Sequence, residues 1–136
     1  MKKVVNSIIP FKGFISMAMW PLVFIRKELE GKFNFMVERH ENTHGEQQKE
    51  MLLIGVALTI VLLVIGCSWW SLFALPLFLW WYGLEYLFRL VQYMDLNLAY
   101  RNISFEREAY VNERNPQYLD SRRHFAWFNY LKYQTI

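Results

Sequence analysis

The sequence predicts a mainly α-helical chain forming a single domain over 1–136. A helix carrying a histidine motif continues into a hydrophobic transmembrane hairpin over about 51–94, with a short extended β segment before it and amphipathic helices after it. Three observations carry this prediction. His40-Glu41-Asn42-Thr43-His44 matches H-E-x-x-H and leads directly into a helix pattern, no charged residue occurs from Met51 to Leu84, and charge returns afterwards with Glu106-Arg107-Glu108. The apolar share of 54% exceeds the roughly 45–50% of an average chain and is concentrated in the uncharged stretch.

The start, Met1-Lys2-Lys3 and an apolar run, imitates a signal peptide, but Pro10 and Lys12 interrupt the run and no small-x-small site follows near Met17-Ala18-Met19. It reads as retained sequence. Residues Ile15 to Ile25 suit an extended edge segment, since Pro21 is tolerated only at an edge. In a zinc hydrolase such an edge is where a peptide substrate pairs by strand addition; a buried hairpin and a membrane-surface segment are the other uses of the same pattern. Glu28 to Lys32 reads as a polar turn around Gly31, and the motif helix begins near Phe35 and runs on through Ile65.

Gly66-Cys67-Ser68-Trp69-Trp70 is the expected turn of the hairpin, with tryptophans suited to a membrane interface. The return runs from Ser71 to about Asp95, kinked at Pro76. Met51 to Ile65 is shorter than the roughly 20 residues a bilayer requires, so extension into the turn, local thinning or a re-entrant hairpin must make up the difference, unless the hairpin is buried in a soluble oligomer. Lys and Arg flank the hairpin and are absent from its turn, which predicts both termini and the motif on the cytoplasmic side. Glu85 and Arg89, four apart, form either a charge-compensated pair or a support for a metal ligand. Asp95 to Tyr100 reads as a link to a helix that Asn115-Pro116 ends, and Asp120-Ser121 as the N-cap of a last helix through Tyr133. Phe125, Trp127, Phe128 and Leu131 would give that helix an aromatic face on the domain or the membrane, with His124 a surface residue beside Arg122 and Arg123.

On a helix the i, i+4 spacing places His40 and His44 on one face, able to bind one zinc ion while Glu41 reaches a water on it. Two helix-surface histidines beside an ordinary glutamate fit the same five residues. Two imidazoles and a carboxylate leave the fourth zinc position to water, acidified to a pKa of about 7, and Glu41 is then the general base. Cys67 is the one cysteine, which excludes an internal disulfide and a thiolate zinc cluster. The six glycines are scattered, so no phosphate loop is present, and a net charge of +3 without a basic run argues against nucleic acid.

His40-Glu41-x-x-His44 followed by Glu106-Arg107-Glu108-Ala109 resembles the gluzincin metallopeptidases, including membrane-bound ones whose second motif reads E-x-x-A-D. The wider layout, with Trp20-Pro21-Leu22-Val23-Phe24, Gln47-Gln48 and Tyr100 to Tyr110, resembles a group of small bacterial membrane proteins. The resemblance implies a zincin-like active-site helix, zinc on His40, His44 and a glutamate of the second motif, Glu41 as base, a bacterial inner-membrane location and a peptide or protein substrate. Glu106 and Glu108 both fit the third ligand; two residues apart on a helix they diverge by roughly 200°, so one of them faces the metal. Glu106 is the preferred one. Tyr110 shares its face and could hydrogen-bond a ligand or polarise a substrate carbonyl, whereas Glu108 is left to the helix surface. Tyr110 stands where the pattern has an aspartate, which leaves a second expectation: a non-catalytic membrane subunit that keeps the scaffold and binds a membrane protein partner.

Overall fold

The computed structural model describes residues 1–132. Three strands, β1 (Lys2–Asn6), β2 (Ser16–Met19) and β3 (Leu22–Arg26), form a sheet in the order β1-β3-β2. β3 runs parallel to β1 and antiparallel to β2, with Ser16 opposite Ile25 and Met19 opposite Leu22. The segment expected to be extended is thus a hairpin with β2 as an edge, and it buries Val23 and Ile25 from alternate positions of β3. A 3-10 turn over Lys27–Lys32 leads to the long helix α1, Phe35–Val64.

Asn34 caps α1 by accepting from the backbone N–H of Met36 and Val37. Gly66, at φ +90°, ends it: the N–H of Gly66 bonds to Leu63 O and that of Cys67 to Leu62 O, the bond pair of a Schellman motif. Between these ends α1 is apolar from Met51 onward, and it is the one helix among the described residues long and apolar enough to cross a membrane. A 3-10 segment, Ser68–Ala74, folds back onto it through small residues. A Cβ on Gly55 would stand 2.5 Å from Ala74 O, and Thr59 Oγ1 donates to Gly55 O and to Ser71 O. After Pro76 the chain turns by 62° into α2, Leu77–Tyr93, so the return is a bent pair rather than one kinked helix.

The stretch expected as a link is helical: Asp95 accepts from the N–H of Asn97 and Leu98 and starts α3, Leu96–Arg101. α4, Ser104–Asn112, follows, then the short α5, Tyr118–Ser121. The last helix expected from Asp120-Ser121 does not continue. Phe125 takes a left-handed φ of +56° while its N–H donates to Glu50 Oε1 at 2.9 Å, and a 3-10 turn over Ala126–Tyr130 replaces the helix; Tyr133 lies outside the described residues. Trp127 is buried against the domain. It meets Phe105 edge-on at 4.8 Å, and with Met51 and Ile103 they make a small core where α1, α4 and the tail meet. Glu85 of α2 pairs with Arg89 and also accepts from the N–H and Oγ of Ser104 at the first turn of α4, so it anchors the helix that carries Glu106.

Candidate metal centre

His40 and His44 project one turn apart from α1, and Glu106 reaches them from the first turn of α4. Their ligand atoms lie within 4.8 Å of one another. His40 Nε2 and His44 Nε2 are 3.1 Å apart; His40 Nε2 lies 3.3 Å from Glu106 Oε2, and His44 Nε2 lies 3.3 Å from the other oxygen, Oε1. All three residues are buried, and together they form a group that could hold a metal ion. Donor atoms around a small tetrahedral divalent ion stand about 3.3–3.5 Å apart, given metal–ligand bonds of about 2.0–2.2 Å, and the spacing of the two nitrogens and of each nitrogen from its nearer carboxylate oxygen is close to that. Two further details fit. Two imidazole lone pairs cannot face each other at this distance without a shared proton or cation, and Glu106 Oε2, buried, makes no hydrogen bond within the described residues.

The local electrostatics already favour a cation. Burial opposes charge on His44, but the Glu106 carboxylate beside it, helped by Glu41, lifts its pKa to about 9. Burial likewise opposes charge on Glu106, yet the two histidines hold its carboxyl well below the usual carboxylate range. Without a metal, a proton on His44 serves as counter-charge.

Behind this cluster the rings are held in orientation. Gln47 Nε2 donates to Phe105 O at 3.1 Å and to Glu108 Oε2 at 3.0 Å, which turns Gln47 Oε1 toward His44 Nδ1 at 2.8 Å. Nδ1 must then carry a proton, and Nε2 is the nitrogen left for a metal. Glu108 is 0% exposed and is held by Arg122, Tyr118 and Gln47, with Arg122 also forked onto Glu50. The helix-surface role expected of it is therefore wrong: Glu108 is a buried anchor, because Arg122 folds back over α4 to neutralise it. Glu106 and Glu108 do point in different directions, and Glu106 is the one at the histidines.

Tyr110 lays its ring edge-on against His40, with centroids 4.6 Å apart, under the Arg101 guanidinium. The phenol that donates to Glu106 Oε1, at 2.9 Å, is that of Tyr82 in α2. Behind His40, Glu113 Oε2 is 3.4 Å from Nδ1. Glu113 lies seven residues beyond Glu106, two helical turns along the same face, a spacing that could have pointed to it; Tyr82, in an apolar aromatic run, carries no such signal. His124 has a 92% exposed side chain and stays apart from the site.

Glu41 is buried and accepts from Ser16 Oγ at 2.8 Å, which ties the motif to β2. Gln48 adds a second tie: its amide donates to Ala18 O and accepts from Trp20 N–H. Above Glu41, His40, His44 and Glu106 opens a cleft of about 1010 Å³, walled by β2 on one side and by α2 and α3 on the other. No family model, curated protein or solved structure matches the chain.

Proposed function

We propose that the chain is a zinc-dependent, membrane-associated peptidase with its metal site at the cytoplasmic surface, His40, His44 and Glu106 holding the ion. The observation that carries this reading is the buried cluster of His40, His44 and Glu106, with ligand atoms within 4.8 Å of one another, on the floor of an open cleft that Glu41 also lines. Zinc, when bound, would supply an acidified water and polarise a carbonyl. The remaining work falls to the protein. Ser16 Oγ donates to Glu41 Oε1, which leaves Oε2 to accept a proton from the attacking water and return it to the leaving amine. The Tyr82 phenol and Gln47 hold Glu106 and His44 in place. The apolar half of α1 with α2 is the membrane anchor, and the flanking Lys and Arg residues support cytoplasmic termini.

The purified protein is expected to hydrolyse peptides with zinc bound, and Glu41→Gln is expected to keep the metal and lose turnover. Retained turnover in Glu41→Gln removes Glu41 as base. One observation favours a second reading, a non-catalytic membrane subunit: Gln48 occupies Ala18 O and Trp20 N–H, edge groups with which a substrate strand would pair. A stoichiometric partner from native membranes, with no turnover of any peptide, would support that reading.

A further inference from the structure

We infer that the cleft takes an extended peptide segment with apolar side chains, admitted from the bilayer side. The inference rests on the peptidase reading for its chemistry, but binding alone can test it. At about 1010 Å³ the cleft is at the upper end of small-molecule sites, enough for several side chains of a chain laid across the floor. Phe14, Met17 and Met19 on the strand side and Leu79 and Leu96 of α2 and α3 line it. Among the described residues, the ionisable lining groups are the four floor residues and three tyrosines, with no lysine or arginine. An acidic segment would therefore lose its hydration without gaining a cation and would face Glu41 and Glu106. Apolar side chains lose nothing comparable.

Two observations set the backbone and the route. The Gln48 amide bonds Ala18 O and Trp20 N–H, a carbonyl and an N–H two residues apart, as a residue of a neighbouring strand would. These edge groups can therefore pair with an amide, and a peptide that pairs with β2 there must displace the Gln48 side chain rather than backbone. Leu52 and Leu79 stand in the walls and belong to the uncharged stretch, whose outer surface is exposed leucine, valine and isoleucine. The cleft therefore borders the apolar helices, and a segment leaving the bilayer would reach it past Leu52 and Leu79.

The test uses the full chain in nanodiscs and three labelled peptides of equal length: a Leu/Val/Phe sequence, the same sequence with Asp and Glu at alternate positions, and a backbone N-methylated copy of the first. The apolar peptide is expected to bind, the acidic one to bind at least about tenfold more weakly, and the N-methylated copy to lose affinity because it cannot pair with β2. Met19→Glu and Leu79→Gln, on opposite walls, should each weaken the apolar peptide by about tenfold or more without changing its partition into protein-free discs. Equal binding of apolar and acidic peptides, or binding unchanged in both variants, overturns the inference. Equal binding of the N-methylated copy does so as well and makes the occupant a lipid-like chain. Cleavage is followed in the same samples: binding without cleavage leaves this inference standing and removes the peptidase reading, and cleavage of apolar and acidic peptides at equal rates does the reverse.

Discussion

The two halves of α1 solve opposite problems. Before Met51 the buried residues of α1, Gly45 apart, are polar: His40, Glu41, Thr43, His44, Gln47 and Glu50, and each of them meets a polar partner. After Met51 the exposed residues are apolar, with Leu53 69% and Val64 81% exposed. The first half is an interior whose polar atoms must satisfy one another; the second is a surface that only an apolar surrounding makes comfortable. A single helix joins them, so under the proposed function the cluster of His40, His44 and Glu106 sits at a set distance along α1 from the apolar half.

The largest test of this contrast is Arg122→Ala, which leaves the buried carboxylates of Glu50 and Glu108 without the guanidinium they share. It should destabilise the fold by about 3–5 kcal/mol, measured by reversible denaturation in detergent. A loss under about 1 kcal/mol would mean that water already reaches both carboxylates. Gln47→Leu, next in size, removes the group that fixes the His44 ring and should weaken zinc binding by about 10- to 100-fold, read by competition with a chelator.

The pH dependence comes third. In the metal-free protein His44 keeps its proton up to a pKa of about 9, above its ordinary value of 6.5, so a metal must displace that proton at neutral pH. Apparent zinc affinity should therefore rise with pH, by up to about tenfold per unit between about 7 and 9, and level off above. A flat profile over that window contradicts the proton as stand-in. The smallest effect belongs to the other half: Leu53→Ala should change fold stability by no more than about 0.5 kcal/mol, because Leu53 packs on little within the protein. A loss of several kcal/mol would show that this face is covered by protein.

Much of the site could be read in the sequence because it is local. The i, i+4 spacing of His40 and His44 and the opposed directions of Glu106 and Glu108 follow from helix geometry alone. The start of α1 at Phe35, after the cap at Asn34, was legible for the same reason. What escaped is non-local. The burial of Glu108 depends on Arg122, which a left-handed turn at Phe125 and the Glu50 carboxylate bring back over α4. β1 pairs in parallel with β3 across the whole hairpin, and its Lys2-Lys3-Val4-Val5 carries too short a pattern to announce it. α3 is hidden in the sequence because Asp95, its cap, also reads as the end of the preceding helix.

Metal content of the purified chain tests the central claim most directly, measured side by side for the unaltered protein, Glu106→Ala and Glu108→Ala. The expected result is about one zinc per chain in the unaltered protein, none in Glu106→Ala, and a folded fraction of Glu108→Ala that still binds zinc, more weakly because Gln47 has lost its anchor. Absence of metal from the unaltered protein, or full occupancy in Glu106→Ala, would contradict the assignment of His40, His44 and Glu106 as its ligands.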